Sequence, residues 1–64
     1  MKIEELENAP RWLLDANTIF ANVEIIDDIV HWYDGVWEGG TWEGGIWHNG
    51  FFECGNWKNG IWYD

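Results

Sequence analysis

Two imidazoles, one thiol and a scatter of carboxylates are the side chains here with reactive potential. Glu53 and Cys54 lie within one repeat of His48, while His31 stands apart. No second His or Cys falls at zinc-ligand spacing, so no metal site is expected. Cys54 sits in an expected turn without an identifiable base, and the carboxylates occupy exposed positions along the chain. No glycine motif joins a strand to a helix as a phosphate loop would. The expectation is a protein that is not an enzyme and carries no cofactor. The single Cys54 cannot form an internal disulfide, which is compatible with a reducing setting.

The charge balance narrows the partners. Three basic residues against twelve acidic give a formal net charge of -9. Phosphate backbones are bound through Lys and Arg, so direct nucleic-acid binding is not expected. An acidic surface could instead occupy a basic protein. The simpler role of the charge is to keep a small aromatic-rich chain dispersed. No basic region followed by an apolar run opens the sequence, and no run reaches membrane-span length. A soluble, cytoplasmic protein without a signal peptide or membrane contact is the expectation.

The elements that must position these groups come from a repeat. From Asp34 the chain reads DGVWE, GGTWE, GGIWH, NGFFE, CGNWK, NGIWY, with Gly second and an aromatic fourth in every five-residue unit. A fixed period of this kind signals a repeat architecture. The pairs Asp34-Gly35, Gly39-Gly40, Gly44-Gly45, Asn49-Gly50, Cys54-Gly55 and Asn59-Gly60 suit two-residue type I′ turns, Cys54 least well. The three residues left between turns predict an all-β meander of very short antiparallel strands. In that register Trp37, Trp42, Trp47, Phe52, Trp57 and Trp62 stand side by side as one aromatic row on one face. The alternative is a β-solenoid, each unit forming one side of a four-sided coil. A nearly all-Trp interior then reads as overfilled, by about 1–3 kcal/mol per oversized group.

Residues 1–64 read as a single domain: a helical cap over 1–16, lead-in strands over 17–33 and the array over 34–64. In the cap, Pro10 separates Ile3 and Leu6 from a second helix, capped by Asn8, that carries Trp12, Leu13 and Leu14. TIF, VEII and IVHWY are β-rich segments, split by Ala21-Asn22 and Asp27-Asp28. Residues 29–33 are expected to pair with 36–38. At the far end, Asp64 opens what would be another turn, so either the array is part of a longer one or residues 61–63 end as an edge open to pairing.

Tyr33-Asp34-Gly35-Val36-Trp37-Glu38-Gly39-Gly40 resembles the opening of a MORN repeat, Y-x-G-x-W-x-x-G, which implies hairpin architecture. The MORN family uses its hairpins in protein and lipid contact. Gly55-Asn56-Trp57-Lys58-Asn59-Gly60-Ile61-Trp62-Tyr63 is similar to part of a choline-binding or glucan-binding cell-wall repeat. The array as a whole resembles Gly-x-Trp-x-x arrays of uncharacterised bacterial and bacteriophage proteins, a likeness that names no activity. The expected function is that of a non-catalytic β-repeat structural or interaction protein. It would self-assemble into a homo-oligomer through the Trp row and the edge strand Ile61, Trp62 and Tyr63. One alternative is a ligand-binding module that stacks sugars, cations or nucleotide-like small molecules on Trp. Another is a small acidic, phage-type inhibitor of a basic host protein.

Overall fold

In the computed structural model, residues 1–63 are described, and Asp64 lies outside them. The chain begins with a 3-10 turn at Ile3–Glu5 and a single helical turn at Arg11–Leu14 (α1). Pro10 stands at the N-cap of α1, the place expected for Asn8, with its φ of -68° already suited to entering a helix. Two long strands follow, β1 (Asn17–Ile26) and β2 (Ile29–Gly39), paired antiparallel. Their connection is Asp27-Asp28, with φ of 52° and 64°. Two successive positive φ values define a type I′ turn, and Asp is among the few non-glycine residues that tolerate them.

The array then departs from the expected register. Residues 29–33 and 36–38 belong to one strand, β2, and pair with β1 instead of with each other. Five two-residue strands follow: β3 (Thr41–Trp42), β4 (Ile46–Trp47), β5 (Phe51–Phe52), β6 (Asn56–Trp57) and β7 (Ile61–Trp62). None of them pairs with its sequence neighbour. His31 pairs with Ile46 and Ile46 with Ile61, Val36 pairs with Phe51, and Thr41 pairs with Asn56, all parallel. Each step is fifteen residues, or three units. The all-β class, the very short strands and the short N-terminal helical segment agree with the sequence reading, and no barrel closes. The pairing direction is corrected: each unit is one side of a three-sided coil, the solenoid arrangement, and successive coils stack in parallel.

Backbone geometry at the corners explains the change. A type I′ turn needs positive φ at both central residues. In the array only the second residue of each pair has it, from Gly40 at 113° to Gly60 at 125°. A single such residue bends the chain around a corner without reversing it. The backbone then pairs with the coil above. His48 N donates to Trp32 O at 2.8 Å, Glu53 N to Trp37 O at 2.9 Å, Lys58 N to Trp42 O at 2.8 Å and Tyr63 N to Trp47 O at 2.9 Å.

The two glycines of a corner therefore differ. A Cβ on Gly45, where φ is 118°, would come within 2.5 Å of Val30 O, whereas one on Gly44 would meet nothing within 4 Å. Gly44→Ala is expected to stay within about 0.5 kcal/mol of the parent. Gly45→Ala, with both strain and collision, is expected to cost about 3 kcal/mol or more. Denaturant unfolding of the two variants checks this, and equal losses would contradict the coil.

Candidate functional site

Because side chains alternate along a strand, the aromatic of each unit points into the coil and its neighbours point out. Trp32, Trp37, Trp42 and Trp47 are wholly buried. Their rings do not form one row on a sheet face. They form three columns along the coil axis: Trp32 on Trp47 on Trp62, Trp37 on Phe52, and Trp42 on Trp57. Ring centroids within a column are 4.7–5.9 Å apart with planes within 11° of parallel. Between columns the rings meet edge to face, as with Trp37 and Trp42 at 5.5 Å and 74°. Flat rings stacked in register fill the three-sided interior without the overfilling expected of Trp in a coil.

The first coil is covered. Trp12 of α1 lies edge-on to Trp42 at 5.0 Å and tilted over Trp37 at 6.3 Å, and buried Leu13 and Val23 complete the lid. The last coil is not covered by any described residue. Phe52 and Trp57 are only half-buried, Trp62 is 43% exposed and Tyr63 65%. Of the residues expected to form a binding row, Trp37, Trp42 and Trp47 thus lie inside. Phe52, Trp57 and Trp62 belong to the open face, together with Ile61 and Tyr63.

Comparisons with family models, curated proteins and solved structures found no match. The site is therefore read from its geometry alone. Among the described residues no helix is long and apolar enough to cross a membrane. Cys54 is exposed at a corner.

Two further features were hidden from sequence reasoning. On one flank, an irregularity in β1 between Ile19 and Asn22 turns Phe20 outward at φ 53° and 92% exposure. Beside it runs a shallow groove of about 390 Å³ lined by Ile19, Val36 and Phe51. On another side, the coil brings together His31 and His48, seventeen residues apart in sequence. Nδ1 of His31 and Nε2 of His48 are 2.9 Å apart in a hydrogen bond that joins two coils. Tyr33 and Tyr63 flank His48, with ring centroids at 4.9 Å and 5.6 Å. Only a fifteen-residue period, not the visible five-residue one, places these groups side by side.

The Tyr33 hydroxyl donates to Glu24 Oε1 at 3.1 Å. Crowding by its neighbours raises the Tyr33 pKa above its ordinary 10.0, and the hydrogen bond and negative charge of Glu24 raise it further. The fold therefore favours the neutral phenol. Its contribution to stability is present below the ordinary pKa and is lost as pH rises through the folded value. In a Tyr63→Phe background, absorbance titration is expected to show Tyr33 ionising above 10.0, with Glu24→Gln lowering the midpoint part of the way back.

Indole Nε1 of Trp32, Trp37, Trp42 and Trp47 is buried without a hydrogen-bond partner. An unmade bond of this kind costs about 1–3 kcal/mol. Trp37 already stacks on Phe52, so the column accepts a phenyl ring. Trp37→Phe removes the unpaired donor and is expected to cost about 1 kcal/mol, against about 3–5 kcal/mol for Trp37→Ala. Equal losses in chemical denaturation would show that a phenyl ring does not replace the indole at this place in the column.

Proposed function

We propose that this protein is a non-catalytic β-repeat interaction module that associates with copies of itself through the open face of its last coil. The observation that carries this reading is the unequal treatment of the two ends. Trp12 and Leu13 cover the first coil, while Phe52, Trp57, Trp62 and Tyr63 meet solvent.

Two properties of the open face favour a second copy as its occupant. Carbonyls of Trp32, Trp37, Trp42 and Trp47 each accept from an amide of the next coil, whereas those of Phe52, Trp57 and Trp62 have no such donor among the described residues. Unpaired strand edges invite pairing with another chain. Charge points the same way. Ten of the twelve acids precede residue 49, and residues 49–64 carry Glu53, Asp64 and Lys58, a formal charge of only -1. Two such faces meet with much less repulsion than the net charge of -9 would impose if it were spread evenly. A two-fold arrangement would set ring against ring and edge strand against edge strand.

Sedimentation equilibrium of the purified chain at micromolar concentration is expected to give a dimer or larger. Tyr63→Lys and Trp62→Lys are each expected to shift it to monomer while circular dichroism shows the fold retained, since both side chains lie at the outer end of the stack. A wild-type monomer would overturn the reading. If that monomer's Trp emission were quenched by a neutral saccharide, the half-exposed face of Trp62 would instead be serving as a ligand-stacking platform.

A further inference from the structure

The structure assigns a second site, on the outer surface of the coil beside Tyr63 of the open face: we propose that His31 and His48 form a two-imidazole seat for a divalent transition-metal ion. Imidazole suits Zn²⁺, Ni²⁺ and Cu²⁺, and of these Zn²⁺ and Ni²⁺ serve as redox-inert probes.

The geometry is close to what an ion requires. Nδ1 of His31 and Nε2 of His48 are 2.9 Å apart. Two nitrogens bound to one ion at about 2.0–2.1 Å stand about 2.9 Å apart when the bonds meet at a right angle and about 3.3 Å at the tetrahedral angle. The facing nitrogens now point along one line in nearly coplanar rings, so the two half-buried side chains must rotate until their lone pairs converge on one ion in place of the shared proton. No net proton need be released. Each neutral imidazole keeps one proton, with His31 carrying it on Nε2 and His48 on Nδ1, so that both facing nitrogens offer a lone pair.

The surroundings favour a cation. Glu24 lies directly opposite His31 across the β1–β2 pairing, and its carboxylate also accepts from Tyr33. The ring of Tyr33 in turn lies beside His48. Among the described residues no ready-made group of three His, Cys, Asp or Glu exists. The seat is therefore bidentate, with Glu24 on the strand opposite His31 as a source of negative charge and solvent completing the coordination. Since His31 is on β2 and His48 directly follows β4, a bound ion ties one coil to the next. Metal binding should consequently appear as added thermal stability, because a ligand held only by the folded chain shifts the unfolding equilibrium.

The test uses the full chain carrying Cys54→Ser, which removes the exposed thiol as a competing ligand. Thermal unfolding followed by circular dichroism is expected to show a higher Tm in Zn²⁺ or Ni²⁺ and no change in Mg²⁺. His31→Gln and His48→Gln should each abolish the shift and weaken binding in titration calorimetry by about 10-fold or more, at least the scale on which even outer partners of metal sites act. Nitrogen-15 spectra of the parent give a readout that does not depend on the variants folding. Zn²⁺ should move the Nδ1 resonance of His31 and the Nε2 resonance of His48 together. The absence of a Tm shift at millimolar Zn²⁺, an equal shift in both variants, or unmoved imidazole resonances would each overturn the proposal. None of these outcomes bears on self-association, which the substitutions at Trp62 and Tyr63 address.

Discussion

Everything in this fold depends on a coincidence of two lengths. Neighbouring strands in any sheet lie about 4.7–4.9 Å apart. The stacks Trp32 on Trp47 and Trp47 on Trp62 repeat at 4.7 Å and 5.1 Å, with planes 7° and 11° from parallel. Backbone pairing and aromatic stacking therefore advance by the same step along the axis. Strands of two residues could hardly hold together by ladder bonds alone, and an isolated pair of strands is marginal in water. Each Trp adds on the order of 150–250 Å² of buried ring to its unit. The side chains act as the continuous element and the backbone as the short rungs around them.

This arrangement sets demands on the corners. To aim each aromatic at the axis, the chain must turn once every five residues while keeping the backbone close to the coil above. A Cβ on Gly50 would stand 2.7 Å from Gly35 O and 2.8 Å from Trp32 Nε1. Glycine therefore answers both a positive φ and a close approach. The indole donors of Trp32, Trp37, Trp42 and Trp47 are buried there without partners. The interior thus combines large apolar burial with an unmade hydrogen bond at four of its rings, and Phe52 shows that a ring without a donor serves in the same position.

A coil of this kind has two ends and an outer surface, and they are treated differently. One end is closed by α1 and the β1–β2 hairpin, elements that break the five-residue rule. The other presents the same rings that form the core elsewhere. On the outside, groups fifteen residues apart become neighbours, so that Tyr33, His48 and Tyr63 form a ladder and His31 reaches across it. The surface chemistry of the protein is thus ordered by the coil length, a quantity that appears nowhere in the local sequence.

The sequence by itself determined the period, the all-β class, the short strands, the N-terminal helical segment and the placing of every unit's aromatic on the same side of the chain. These follow from glycine's freedom at positive φ and from side-chain alternation, both local properties. It also showed that Asp27-Asp28 separates two β-rich segments. What only the tertiary structure decided is how many units close one coil, and that choice sets everything non-local. Antiparallel turns and parallel corners use the same Gly-containing pairs and differ in whether one residue or two take positive φ. That difference is settled by whether the rings pack better across a flat face or around a closed axis. Three flat indoles meeting edge to face fill a three-sided interior. Once they do, Trp37, Trp42 and Trp47 leave the surface, Trp62 and Tyr63 remain on it, and His31 meets His48.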